Sequence, residues 1–64
     1  MAKYRIWDGQ LNRYAFQETI FNTKNEAINQ LISFFSVDLD ELTKIRKSLW
    51  QDSEFAELYI EKVI

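Results

Sequence analysis

Sixty-four residues allow one small domain, residues 1–64. A composition that is 47% hydrophobic and 16% aromatic with a net charge of −2 excludes intrinsic disorder, and no apolar run approaches the roughly 18 residues of a membrane span. Neither histidine nor cysteine occurs, which excludes disulfides, thiolate chemistry, histidine base catalysis and the usual zinc sites.

Residues 3–7 alternate, with Tyr4 and Ile6 on one face and Lys3, Arg5 and Trp7 on the other. Asp8-Gly9 is a turn signal and carries the chain's one glycine. Residues 13–17 alternate again, with Tyr14 and Phe16 assigned to the inner face. The expectation is an antiparallel hairpin with a loop around Gly9 to Asn12. Thr19-Ile20-Phe21 either extends the second strand or forms a short third one.

Thr23 to Glu26 has the spacing of a capping box, and Ala27, Ile28, Leu31, Ile32 and Phe35 follow at helical spacing. This predicts a helix over about 24–36. Asp38 and Glu41 have the same spacing, and Val37 is placed to staple onto Leu42. Leu39, Leu42, Ile45 and Leu49 form the stripe of a second helix at about 39–50. Asp52 or Ser53 then caps a third helix, with Phe55, Tyr59 and Val63 in one row and Ala56, Ile60 and Ile64 in the next. Glu54, Glu57 and Glu61 line its opposite face. The fold class is α+β: an N-terminal antiparallel hairpin, with or without the third strand, packed against three α-helices.

An enzyme without histidine or cysteine has to rely on carboxylates, lysine or hydroxyls. The Glu54, Glu57 and Glu61 row reads as the solvated face of a helix, and Asp38, Asp40 and Glu41 read as helix-start residues without the spacing of a calcium loop. There is no Gly-rich phosphate loop. No catalytic, cofactor or metal site is expected.

The outer face of the hairpin is more informative. Lys3, Arg5, Trp7 and Arg13 are basic or aromatic, as in a surface that contacts nucleic acid, but a half-solvated sheet or a protein contact accounts for them better. Trp50 and Tyr59 are the helical counterparts, as core plugs or interface anchors.

So short a chain buries only about 60% of the surface its unfolded form exposes. Lacking disulfide or metal staples, it needs a dense core, and a homodimer or a protein partner would cover the apolar surface left over. Residues 1–32 hold four basic and three acidic side chains, and residues 33–64 hold four basic and seven acidic. That acidic excess is unlike a dedicated nucleic-acid binder. No basic region followed by an apolar run opens the chain, so a cytoplasmic protein is expected.

The strand Lys-Tyr-Arg-Ile-Trp-Asp-Gly, the aromatic second strand and the phrase Phe21-Asn22-Thr23-Lys24-Asn25-Glu26-Ala27 together make residues 3–35 resemble the arm-type DNA-binding domain of phage tyrosine integrases. The resemblance implies a small antiparallel sheet followed by a helix, with the sheet entering the major groove. The sheet is less basic than that family's, and an acidic helical pair follows in place of a catalytic region. What the resemblance implies most directly is a phage or mobile-element setting.

The expected function is a non-enzymatic protein-binding module, an inhibitor or regulator of phage or prophage type that acts by occlusion. Trp7, Trp50 and Tyr59 are its anchors, and Glu54, Glu57 and Glu61 steer it toward a basic partner. The alternative is a nucleic-acid binder using Lys3, Arg5, Trp7 and Arg13.

Overall fold

Alternation in the first strand and helical spacing after Thr23 build a two-layer molecule. The computed structural model describes residues 2–64. Strands β1 (Tyr4–Asp8), β2 (Arg13–Tyr14), β3 (Glu54–Phe55) and β4 (Leu58–Lys62) form one antiparallel sheet in the order β2-β1-β4-β3. Helices α1 (Lys24–Ile32) and α2 (Leu39–Asp52) cover one face of it. Ile6 of β1 lies directly opposite Ile60 of β4, and both are buried against Ala27, Ile28 and Leu31 of α1 and Ile45 and Leu49 of α2.

The Thr23 half of the α1 capping box forms as its spacing predicts, but the Glu26 half falls one residue earlier than the expected Thr23 N–H. The Thr23 hydroxyl accepts the Glu26 N–H at 3.1 Å, while the Glu26 carboxylate accepts the N–H of Asn22, one residue before the cap. The helix ends at Ile32 rather than near residue 36. There Phe34 and Phe35 donate to the carbonyls of Leu31 and Ile32 in a tightened last turn. Phe35 still reaches the core, edge-on to Phe55 at 5.6 Å, but Phe34 points out.

Asp38 caps α2 through the Glu41 N–H at 2.9 Å. Leu39, expected on the apolar stripe, is 80% exposed because it occupies the first turn beyond the edge of the core. The helix runs to Asp52 and stops at Ser53, whose left-handed backbone (φ 56°) lets its N–H bond the Leu49 carbonyl. The Lys24 ammonium donates to the Trp50 carbonyl (3.0 Å) and the Ser53 hydroxyl (2.8 Å). It thus places a cation at the negative end of α2 and ties the start of one helix to the end of the other.

The third helix is corrected by the structure. Residues 54–62 form the β3–β4 hairpin, and β4 is a central strand of the sheet. Ser53, expected to start a helix, ends one. Rows at i and i+4 also share a strand face, since four is a multiple of two, so the spacing of Tyr59 and Val63 did not separate the two structures. Aromatic and β-branched residues at 59, 60 and 63 favour the strand. Glu54, Glu57 and Glu61 therefore share no helix face.

The N-terminal hairpin forms with the expected Gly9–Asn12 loop, closed by the Asp8–Arg13 pair. The Asp8 carboxylate accepts the N–H groups of Gln10 and Leu11. The left-handed position falls on Asn12 (φ 55°), not on Gly9. Gly9 is needed for closeness instead: a Cβ there would sit 3.1 Å from the Glu57 carbonyl, which its N–H bonds at 2.8 Å.

The second strand is shorter than residues 13–17. After Tyr14, residues Phe16, Gln17 and Glu18 make a left-handed turn with φ of 53°, 57° and 60°. The chain rejoins the sheet only at Phe21, in an isolated bridge to Tyr4, so Thr19 and Ile20 form no third strand. The excursion packs Ala15 and Phe16 against the core and leaves Tyr14 on the outer face, the reverse of the expected assignment of Tyr14 and Ala15.

No helix among the described residues is long and apolar enough to cross a membrane.

Candidate functional site

Because Ile6 and Ile60 face the helices, their neighbours along β1 and β4 face the other way, onto a sheet surface that neither helix covers. The register aligns this surface in rows. Glu54, Tyr59, Trp7 and Tyr14 stand side by side across all four strands. Trp7 meets Tyr14 edge-on at 4.9 Å, and the Tyr59 ring leans over Gly9, where a Cβ would come within 3.2 Å of it.

The next row is ionic. Arg5 lies opposite Glu61 and donates to it through Nε at 3.0 Å, while its Nη1 reaches Glu18 at 2.9 Å. The Tyr14 hydroxyl donates to the same Glu61 oxygen at 3.1 Å, and the guanidinium lies 4.0 Å above the Tyr14 ring. The Glu61 hydrogen bond holds the Arg5 pKa above its ordinary value. The Tyr14 phenol is also pushed up, first by partial removal from water and then by the bond it donates to Glu61; nearby Arg5 opposes this. Lys3, beyond this row, donates to Asn22 at 2.7 Å.

Of the residues proposed as protein-binding, Trp7, Tyr59, Glu54 and Glu61 thus meet on one face, although the sequence placed Trp7 on a hairpin and the others on a helix. Glu57 lies beside them in the β3–β4 turn. Trp50 does not join them. It is on α2 in the opposite layer, 45% exposed and neither a core plug nor part of this face, with the Lys24 ammonium 5.5 Å from its ring. It lines a separate shallow hollow of about 400 Å³ with Tyr4 and Asn22.

Of the residues proposed for nucleic acid, Lys3, Arg5 and Trp7 share the sheet face. Arg13, opposite Asp8, does not. Two cations, Lys3 and Arg5, stand there against three carboxylates, Glu18, Glu54 and Glu61, and Arg5 is occupied by two of them.

Tyr14 and Glu18 are parts of the site that the sequence reading did not include. Tyr14 was accessible from parity. A four-residue loop closed by Asp8 and Arg13 pairs Trp7 with Tyr14, and paired residues share a face. Glu18 reaches Arg5 only through the left-handed turn, which no residue type announces.

No family model matches the chain, and no similar curated protein or solved structure was found, so the resemblance of residues 3–35 to integrase arm domains stands on those residues alone.

Proposed function

We propose that this protein is a non-enzymatic binding module that occludes a surface of a protein partner with the open face of its sheet. The observation that carries the reading is the cross-strand row of Tyr59, Trp7 and Tyr14, held on a backbone whose opposite side is the core. Rigid aromatics without a covering layer supply contact area at low entropic cost, and such anchors dominate the energetics of protein interfaces. The Arg5–Glu61–Tyr14 network fixes the neighbouring side chains before a partner arrives. Glu54 and Glu57, which form no ion pair among the described residues, favour a partner with basic groups at its rim.

Nucleic acid is the weaker reading, because the sheet face carries more carboxylates than cations and its arginine is already paired. A role as inhibitor or regulator follows from occlusion without chemistry. The phage or prophage setting rests on the sequence resemblance.

The test is affinity capture from a cell lysate with the wild-type protein and a Trp7→Ala, Tyr59→Ala variant whose circular dichroism is unchanged. A partner retained by the first and lost by the second is the expected result. Salt-sensitive binding to duplex DNA at about 50 mM salt, abolished by Lys3→Ala and Arg13→Ala, would replace this reading with the nucleic-acid one.

A further inference from the structure

A second surface lies at the end of the molecule where β2 runs into the left-handed turn. There Leu11, Ala15, Phe16 and Phe34 line an open groove of about 480 Å³, with Arg13 and Gln17 on its wall. The groove is within the size range of ligand-binding clefts, roughly 300–1,000 Å³.

Three independent features mark it. Its apolar walls are bare: Leu11 is 60% exposed and Phe34 67%, although Phe34 packs 5.0 Å from the Phe16 ring and so holds a defined position. Arg13 is the only one of the three arginines that bonds no side chain or carbonyl among the described residues. Arg5 holds Glu18 and Glu61, and Arg46 holds Asn29. Finally, Phe16 and Gln17 line the groove in left-handed conformations, which cost a non-glycine residue about 1–2 kcal/mol each. Strain of this kind concentrates at ligand clamps, where the surrounding structure holds a side chain against its local preference.

The geometry points to this groove as a docking site for an acidic peptide segment of another protein, one that seats an apolar side chain between Leu11, Phe16 and Phe34 and places an adjacent carboxylate on Arg13. The unpaired guanidinium of Arg13 decides the occupant. A guanidinium with five free donors matches a carboxylate bidentately. The groove's one carboxylate, Asp8, is already committed by one oxygen to the N–H groups of Gln10 and Leu11. A basic segment would leave Arg13 facing a like charge.

The site is separate from the aromatic row, with only Tyr14 bordering both.

The experiment is amide NMR of the ¹⁵N-labelled chain, titrated with a terminally blocked pentapeptide that has adjacent leucine, phenylalanine and aspartate residues, and with its counterpart carrying lysine in place of the aspartate. The expected result is saturable shifts confined to residues 11–17 and 34 with the acidic peptide only, weakened about tenfold or more by Arg13→Gln. Phe34→Ser, a change at an exposed position, gives a similar loss, and unchanged binding by it overturns the apolar seat. Equal binding of both peptides, shifts that survive Arg13→Gln, shifts on the Trp7 and Tyr59 face, or no shift at millimolar peptide would each overturn the proposal. So would groove shifts that grow with protein concentration before peptide is added, since a second copy would then be the occupant.

Discussion

The two hairpins of the sheet are made by opposite means. In β1–β2 the loop is written into its own residues: the Asp8 carboxylate collects the amides of Gln10 and Leu11, and Asn12 takes the left-handed position that asparagine tolerates well. In β3–β4 a two-residue turn joins Phe55 to Leu58, and both of its residues, Ala56 (φ 52°) and Glu57 (φ 63°), are left-handed without being glycine, asparagine or aspartate. The first hairpin is specified locally. The second is imposed by what it joins: Ile60 seats against Ile6, Phe55 against Phe35, and the Glu57 carbonyl takes the Gly9 amide.

The largest effect should come from breaking what imposes the second hairpin. Ile60→Ala is expected to destabilise the fold by about 2–5 kcal/mol, as should Ile6→Ala directly across from it. The two losses in the double variant should be less than additive, because each side chain packs on the other. Equilibrium urea unfolding measures all three. An Ile60→Ala cost under about 0.5 kcal/mol would mean that β4 is not central to the core.

A smaller effect tests where the hairpins touch. Gly9→Ala should cost about 1 kcal/mol, because the new Cβ meets a backbone carbonyl at 3.1 Å and the Tyr59 ring at 3.2 Å, and the carbonyl belongs to a turn with little freedom to shift. Combining it with Tyr59→Ala should recover part of the loss, whereas Ala at a loop position free of such contacts would not destabilise.

Turn chemistry should then give opposite signs in the two hairpins. Replacing Ala56-Glu57 by Asn-Gly supplies residues that accept positive φ and should raise stability by about 1 kcal/mol. Asn12→Ala removes such a residue and should lower it by a similar amount. Thermal unfolding of the two variants beside the wild type decides whether the contrast holds.

That contrast also explains what was legible. The first strand, its loop, both helices and their caps were readable because the relevant energies are local: Asp8, Thr23 and Asp38 bond amides two or three residues away. The β3–β4 hairpin was not, since Ala56-Glu57 carries no turn signal and the apolar rows suit either period. The left-handed turn at Phe16 to Glu18 was hidden for the same reason: the contacts of Phe16 with Phe21 and Phe34, and of Glu18 with Arg5, stabilise it across the chain. The candidate face was half legible. Trp7, Tyr59, Glu54 and Glu61 could be named as binding residues, but that they share a sheet surface depends on a hairpin the sequence does not announce.

The smallest effect concerns the network on that face, and its sign follows from the Tyr14 phenol. Partial removal from water and the bond donated to Glu61 raise its pKa above the usual phenol value of about 10. Between pH 10 and the raised value the folded chain therefore binds more protons at this site than the unfolded chain. Stability from the phenol is fully present below about pH 10 and falls as pH rises through the folded value. Tyr14→Phe should abolish this increment of alkaline destabilisation. Glu61→Gln should reduce it, because the amide accepts the phenol's proton less strongly than a carboxylate. The measurement is the urea midpoint at intervals from pH 8 to 11 for the three proteins. Parallel curves throughout would show that the Tyr14 hydroxyl titrates as it does in the unfolded chain, and the preorganised ionic row beside the aromatic face would lose its support.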